Sequence, residues 1–160
     1  MFSLNNVTGP WIPIVDKFSS NPFLPESPEI LLRKNKVNNV PVMLGFTSED
    51  GLLKTSRFVQ DKSFAEHFGN NWNTCAPINI LGKEIENITN TDVKYVNNII
   101  EKYRDATGRE EIEMTTVFTD ALFGLSTHKV SQYLVKGGNK SVFKYYFSYI
   151  GNHETDKYVI

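Results

Sequence analysis

Val40-Pro41-Val42-Met43-Leu44-Gly45-Phe46-Thr47-Ser48-Glu49-Asp50-Gly51-Leu52-Leu53 is an apolar run that ends abruptly on two carboxylates and a glycine. An uninterrupted apolar run reads as a strand buried on both faces. Residues just past the carboxyl end of such a strand stand where open α/β sheets hold their chemistry. Glu49 and Asp50 are therefore candidate functional acids. Taken from the residues alone, the plainer alternative is a solvated turn or helix cap, because Asp before Gly is turn chemistry.

Upstream of this run, Pro10, Pro13, Pro22, Pro25, Pro28 and Pro41 exclude a long helix and predict an extended surface segment. Trp11 to Asp16 is a candidate edge strand within it. Pro28 to Arg33 reads as a short helix, with Ser27 as its N-cap and proline in the first helical position. Downstream, helical periodicity is weak from Phe58 to Phe68 and clear where Val93, Val96, Ile99, Ile100 and Tyr103 recur at three- and four-residue spacing. Thr91-Asp92 is the expected cap and first-turn acid of that helix, and Gly108 its stop. The period continues from Glu110 to Val135, with an expected break into two helices at Gly124-Leu125-Ser126-Thr127 and an end at Gly137-Gly138. Ser141 to Ile150 is dense in aromatic and β-branched residues and predicts a second strand, with Tyr145, Tyr146 and Phe147 as sheet core.

Strand, a long helical stretch, then strand is too much chain for a hairpin and is the form of a parallel crossover. The expected fold class is α/β, with a large helical insertion between two strands of a mostly parallel sheet. Two strands and an edge candidate leave faces and edges of that sheet uncovered, so residues 1–160 are expected to be one part of a larger domain.

Composition narrows the function classes. The 160 residues carry 17 basic and 18 acidic side chains, a formal charge of −1, and no basic cluster longer than a pair. That offers no footprint for a phosphate backbone, so no nucleic-acid partner is expected. No apolar stretch approaches the roughly 18 residues that a spanning helix needs. Cys75 is the one cysteine, best read as a small buried apolar side chain. No cofactor or metal motif is present. Sequons at Asn6, Asn87 and Asn139 are candidate N-glycosylation sites, which tilt the expected localisation slightly toward secretion.

An acid past a central strand can accept Nδ1–H from a histidine that serves a serine nucleophile. In α/β-hydrolases those residues run Ser, then Asp or Glu, then His, and the serine sits in a G-x-S-x-G elbow. No such elbow occurs here. His67, His128 and His153 all follow the acids; His153, just after the second strand, has the expected topological position, whereas His67 is too close in sequence to fold back independently and His128 lies within helical periodicity and reads as a structural histidine.

Trp11-Ile12-Pro13-Ile14-Val15-Asp16, Phe23-Leu24-Pro25 with Pro28, and Val40 to Gly51 together resemble the segment of type-B carboxylesterases, the cholinesterase-like α/β-hydrolases, that leads into their catalytic acid. Phe118-Thr119-Asp120-Ala121-Leu122-Phe123-Gly124 and Val142 to Tyr149 are similar to that family's Asp-x-x-Phe helix and the aromatic strand after it, with the flavour of insect esterases. The resemblance runs through nearly the whole chain and covers a minority of a family domain. It implies a carboxylic-ester hydrolase acting on a small-molecule ester. By position, the family's acid, usually Glu directly before Gly, falls on Asp50, and Glu49 takes the preceding place; Asp is one methylene shorter. Asn152-His153-Glu154-Thr155 does not match the family's Gly-x-x-His motif, so the resemblance puts the catalytic histidine beyond Ile160 and leaves the 160 residues inert by themselves. Asp120 falls on a packed helix, where it implies a structural cap or ion pair. The competing expectation is a non-catalytic adhesion or binding protein of the same fold. A third is an autonomous small α/β binding domain.

Overall fold

The computed structural model describes residues 14–107 and 114–149. Asn6, Trp11 to Pro13, Gly108 and His153 lie outside the described residues. Ile14 to Asp16, the rest of the expected edge strand, is irregular; the Asp16 N–H donates to the Leu24 carbonyl at 2.9 Å.

Helix α1 spans Pro28–Arg33, and the Ser27 hydroxyl accepts from the Ile30 N–H at 3.4 Å, as the cap-and-proline pattern predicts. Strand β1 is Val42–Thr47 and strand β2 is Val142–Phe147. They pair in parallel, from Val42 opposite Val142 to Thr47 opposite Phe147. The chain between them is the expected helical crossover: α2 (Leu52–Gln60), α3 (Lys62–Asn70), α4 (Trp72–Leu81), a 3₁₀ turn (Ile85–Asn87), α5 (Asn90–Thr107), α6 (Met114–Phe118), a π-helical turn (Thr119–Gly124) and α7 (Leu125–Lys136).

The core lies among the helices. Phe68, Cys75, Ala76, Ile80, Val96, Ile100, Val117 and Phe118 form one buried cluster, with the Phe58 ring 5.0 Å from Phe68 and 6.2 Å from Phe118. Cys75 is buried there as expected, and burial raises the pKa of its thiol. Helix α4 is the centre of this layer: every residue from Cys75 to Ile80 is buried, Pro77 included. A helix whose central stretch is buried on every side, polar Asn79 included, shows no alternation of wet and dry faces, which is why periodicity does not reveal it.

Three expectations are corrected. The cap of α5 is Thr89, two residues before the predicted Thr91: the Asp92 N–H donates to the Thr89 hydroxyl at 3.3 Å, and the Thr89 N–H donates to the Asp92 carboxylate at 2.9 Å. Gly124 to Thr127 does not break the rod. Gly124 and Leu125 keep helical angles, and the irregularity is taken up by the π turn before them, in which the Leu125 N–H bonds to the Asp120 carbonyl. Tyr145, Tyr146 and Phe147 are not buried; each is half or more exposed, because the described residues supply only one neighbouring strand and an incomplete layer over β2.

Candidate functional site

The chain leaves β1 at Thr47 and enters α2 at Leu52, and both candidate acids lie in that turn. Glu49 is exposed and Asp50 is half-buried. The Asp50 carboxylate turns back on the strand end: the Thr47 N–H donates to Oδ2 at 2.9 Å and the Thr47 hydroxyl to Oδ1 at 2.6 Å. A threonine followed three residues later by an acid is the grammar of a capping box. The same Thr-x-x-Asp arrangement recurs at Thr89 and Asp92, where both Thr89 donors meet Asp92 Oδ2. Asp50 thus serves as a turn cap as well as a candidate catalytic group. An ionised carboxylate offers about four acceptor positions, so the two bonds from Thr47 leave room for an imidazole N–H.

The turn is also fastened from behind. The Gly51 N–H donates to the hydroxyl of Thr119 at 2.8 Å, and that hydroxyl donates in turn to the Thr115 carbonyl at 2.8 Å. Beside it, the hydroxyls of Thr55 and Thr115 lie 2.7 Å apart. Gly51 is buried against the rod so closely that a Cβ there would stand 2.0 Å from the Thr115 carbonyl oxygen. Sequence reasoning missed Thr47, although its three-residue spacing to Asp50 is a signal that could have found it. Nothing in the sequence marked Thr119, which meets the turn across 68 residues.

The other singled-out residues do not join Asp50. His67 is exposed on α3 and His128 is exposed on α7. Asp120 accepts a hydrogen bond of 2.5 Å from the Tyr103 hydroxyl, an interaction that is neither a cap nor an ion pair. Burial, then the Asp120 carboxylate, push the Tyr103 phenol pKa above its ordinary value. Tyr103, Asp120, Phe46, Gly124 and Tyr146 line part of a groove of about 660 Å³ between the helical layer and the sheet, and no residue from Thr47 to Gly51 reaches it. Among the described residues, no group of three or more His, Cys, Asp or Glu side chains could hold a metal ion, and no helix is long and apolar enough to cross a membrane.

The two described sequons differ. Asn87 is exposed in the 3₁₀ turn, its amide donating to Glu84 at 3.0 Å. Asn139 is buried, with its amide nitrogen donating to the Val40 carbonyl at 2.7 Å and its side-chain oxygen accepting from the Ser141 N–H at 2.9 Å. That nitrogen is the atom a glycan would use, so a glycan at Asn139 is incompatible with this packing.

Parallel strands joined through a helical layer, with acids in the turn after the first strand, make an α/β arrangement. The family model of the carboxylesterase family matches residues 3–159, and the chain belongs to that family. It is 27% identical over 161 aligned residues to venom carboxylesterase-6 of Apis mellifera, covering 98% of this chain and 28% of that protein. To a carboxylic ester hydrolase of Bombus ignitus it is 25% identical over 158 residues, again with 28% of the relative covered. The chain therefore spans little more than a quarter of the length of these relatives. No solved structure matches it at a significant level.

Proposed function

We propose that this chain is part of a serine carboxylic-ester hydrolase and supplies Asp50 as the acid of a Ser-acid-His triad. In such an enzyme the serine attacks the ester carbonyl while histidine removes its proton. The carboxylate accepts the histidine Nδ1–H, holds the ring in the productive tautomer and stabilises the imidazolium. The acyl-enzyme is then hydrolysed by water. The serine, the oxyanion-hole donors and the histidine would come from outside residues 1–160, so the 160 residues alone are expected to be inactive.

The observation that carries this reading is the position of Asp50: half-buried, directly before Gly51, in the turn at the carboxyl end of β1, with its carboxylate oriented by Thr47. Glu49, exposed in the same turn, is the less favoured acid. Membership in the carboxylesterase family supplies the reaction class, and a small-molecule ester is the substrate it implies. A secreted parent glycosylated at Asn87 is part of the same proposal.

In the full-length protein that carries this chain, Asp50→Asn should lower kcat for an aryl ester by about a thousandfold or more, since an acid that can no longer hold the right tautomer costs that order of activity. Glu49→Gln should leave kcat nearly unchanged. The reverse ranking would move the acid to Glu49, and full activity in both variants would favour the non-catalytic reading.

A further inference from the structure

The rod from Met114 to Lys136 is helical throughout, yet it changes repeat at Thr119–Gly124, where a π turn replaces the α turn. On an α-helix, residues five apart point about 140° away from each other; a turn closed by i to i+5 bonds brings them onto one side. Thr119 and Gly124 are such a pair, and both address β1 or the turn that follows it. The Thr119 hydroxyl takes the Gly51 N–H at 2.8 Å. Gly124 admits the ring of Phe46, whose Cζ would lie 3.2 Å from a Cβ at that position. The wide turn therefore lets one rod receive both a strand side chain and the acid-bearing turn.

We infer that Thr119 is a positioning residue for the acid at Asp50, acting through the backbone of Gly51. This rests on the reading of Asp50 as the triad acid. Thr119 is 2% exposed, and its hydroxyl oxygen must accept from the Gly51 N–H, which can only donate; the hydroxyl's own proton has the Thr115 carbonyl at 2.8 Å and, more distantly, the Ser48 carbonyl of the same turn at 3.5 Å as acceptors. Thr47 fixes the carboxylate relative to the strand end, and Thr119 fixes the turn relative to the helical layer. Neither touches substrate. Without the hydroxyl, the Gly51 N–H loses its partner in a buried site, and the turn must shift to find another, carrying Asp50 with it.

The test uses the full-length protein and an aryl ester. Thr119→Val, which keeps the shape and removes the hydroxyl, should lower kcat about 10- to 100-fold, because a displacement of roughly 1 Å in a catalytic group costs that order. KM should stay within about threefold, as the substrate's own contacts are untouched. Thr119→Ser should restore most of the activity. Ser131→Ala removes another buried hydroxyl of the same rod, one that bonds only to the carbonyl of His128 among the described contacts, and should leave kcat near wild type. In an Asp50→Asn background, Thr119→Val should cost nothing further. If Thr119→Val does not fold, Thr119→Ala, read per folded molecule, serves the same comparison. Wild-type kcat in Thr119→Val alongside an inactive Asp50→Asn would overturn the positioning role and leave the acid assignment standing. Undiminished activity in Asp50→Asn would remove the acid assignment itself. Equal losses from Thr119→Val with and without Asp50 would show that the hydroxyl acts on the fold at large, against the inference.

Discussion

Gly51 is the residue at which the site and the fold meet. Its N–H is held by Thr119, its carbonyl receives the Lys54 and Thr55 N–H groups that start α2, and its missing side chain is what allows the rod to approach. The requirement is spatial, since the backbone there has ordinary helical angles, φ −62° and ψ −17°. Gly51→Ala should therefore destabilise the protein by about 1–3 kcal/mol through overpacking against backbone that cannot swing aside, seen as a lower denaturation midpoint. An unchanged midpoint would show that the turn has slack. The glycine and the acid were visible as a pair in the sequence. The reason for the glycine was not, because the atom it makes room for belongs to Thr115.

At the scale of elements, a stabilising partner three or four residues away leaves a local pattern in the chain. Ser27 and Pro28 start α1, and Thr47 with Asp50 closes the turn after β1. At α5 the same rule selects Thr89, whose three-residue spacing to Asp92 fits a capping box where Thr91 does not. The Thr89 hydroxyl, then the Lys83 ammonium and the Thr89 N–H, lower the Asp92 pKa from 3.8 to about 2. A carboxyl depressed in the folded state contributes stability that is present above its unfolded value near 3.9 and lost as pH falls toward the folded one. The start of α5 should thus loosen between about pH 4 and about pH 2, followed as the pH dependence of amide exchange over its first turn. Asp92→Asn should flatten that dependence; a slope unaltered by the substitution would assign it to other acids. Helix α4 and the π turn obey no such local rule. The first is buried all round from Cys75 to Ile80 and contains Pro77, and the second depends on what β1 and the turn after it present to residues 124 and 119.

Across the whole molecule, the helical layer is closed and the sheet is open. Phe118 and Val96 are fully buried, whereas Met43, Phe143, Tyr145, Tyr146 and Phe147 are each half or more exposed around two strands whose outer edges have no partner among the described residues. Exposed apolar sheet of this kind binds hydrophobic dyes and self-associates. The 160-residue polypeptide by itself should enhance ANS fluorescence and show no saturable hydrolysis of p-nitrophenyl acetate above an imidazole control. A dye-silent, cooperatively unfolding monomer would instead establish an autonomous domain. The sequence by itself determined the two strands, their parallel relation across a long helical crossover and the family, and it put Asp50 ahead of Glu49 as the candidate acid, because hydrophobic period, chain length and motif order are properties of the chain. Only the tertiary structure half-buried Asp50 while leaving Glu49 exposed, packed the Asn139 amide against the Val40 carbonyl and brought Thr119 beneath Gly51. The last two depend on contacts between residues some 70 to 100 positions apart in the chain, and no local pattern of residues encodes such a distance.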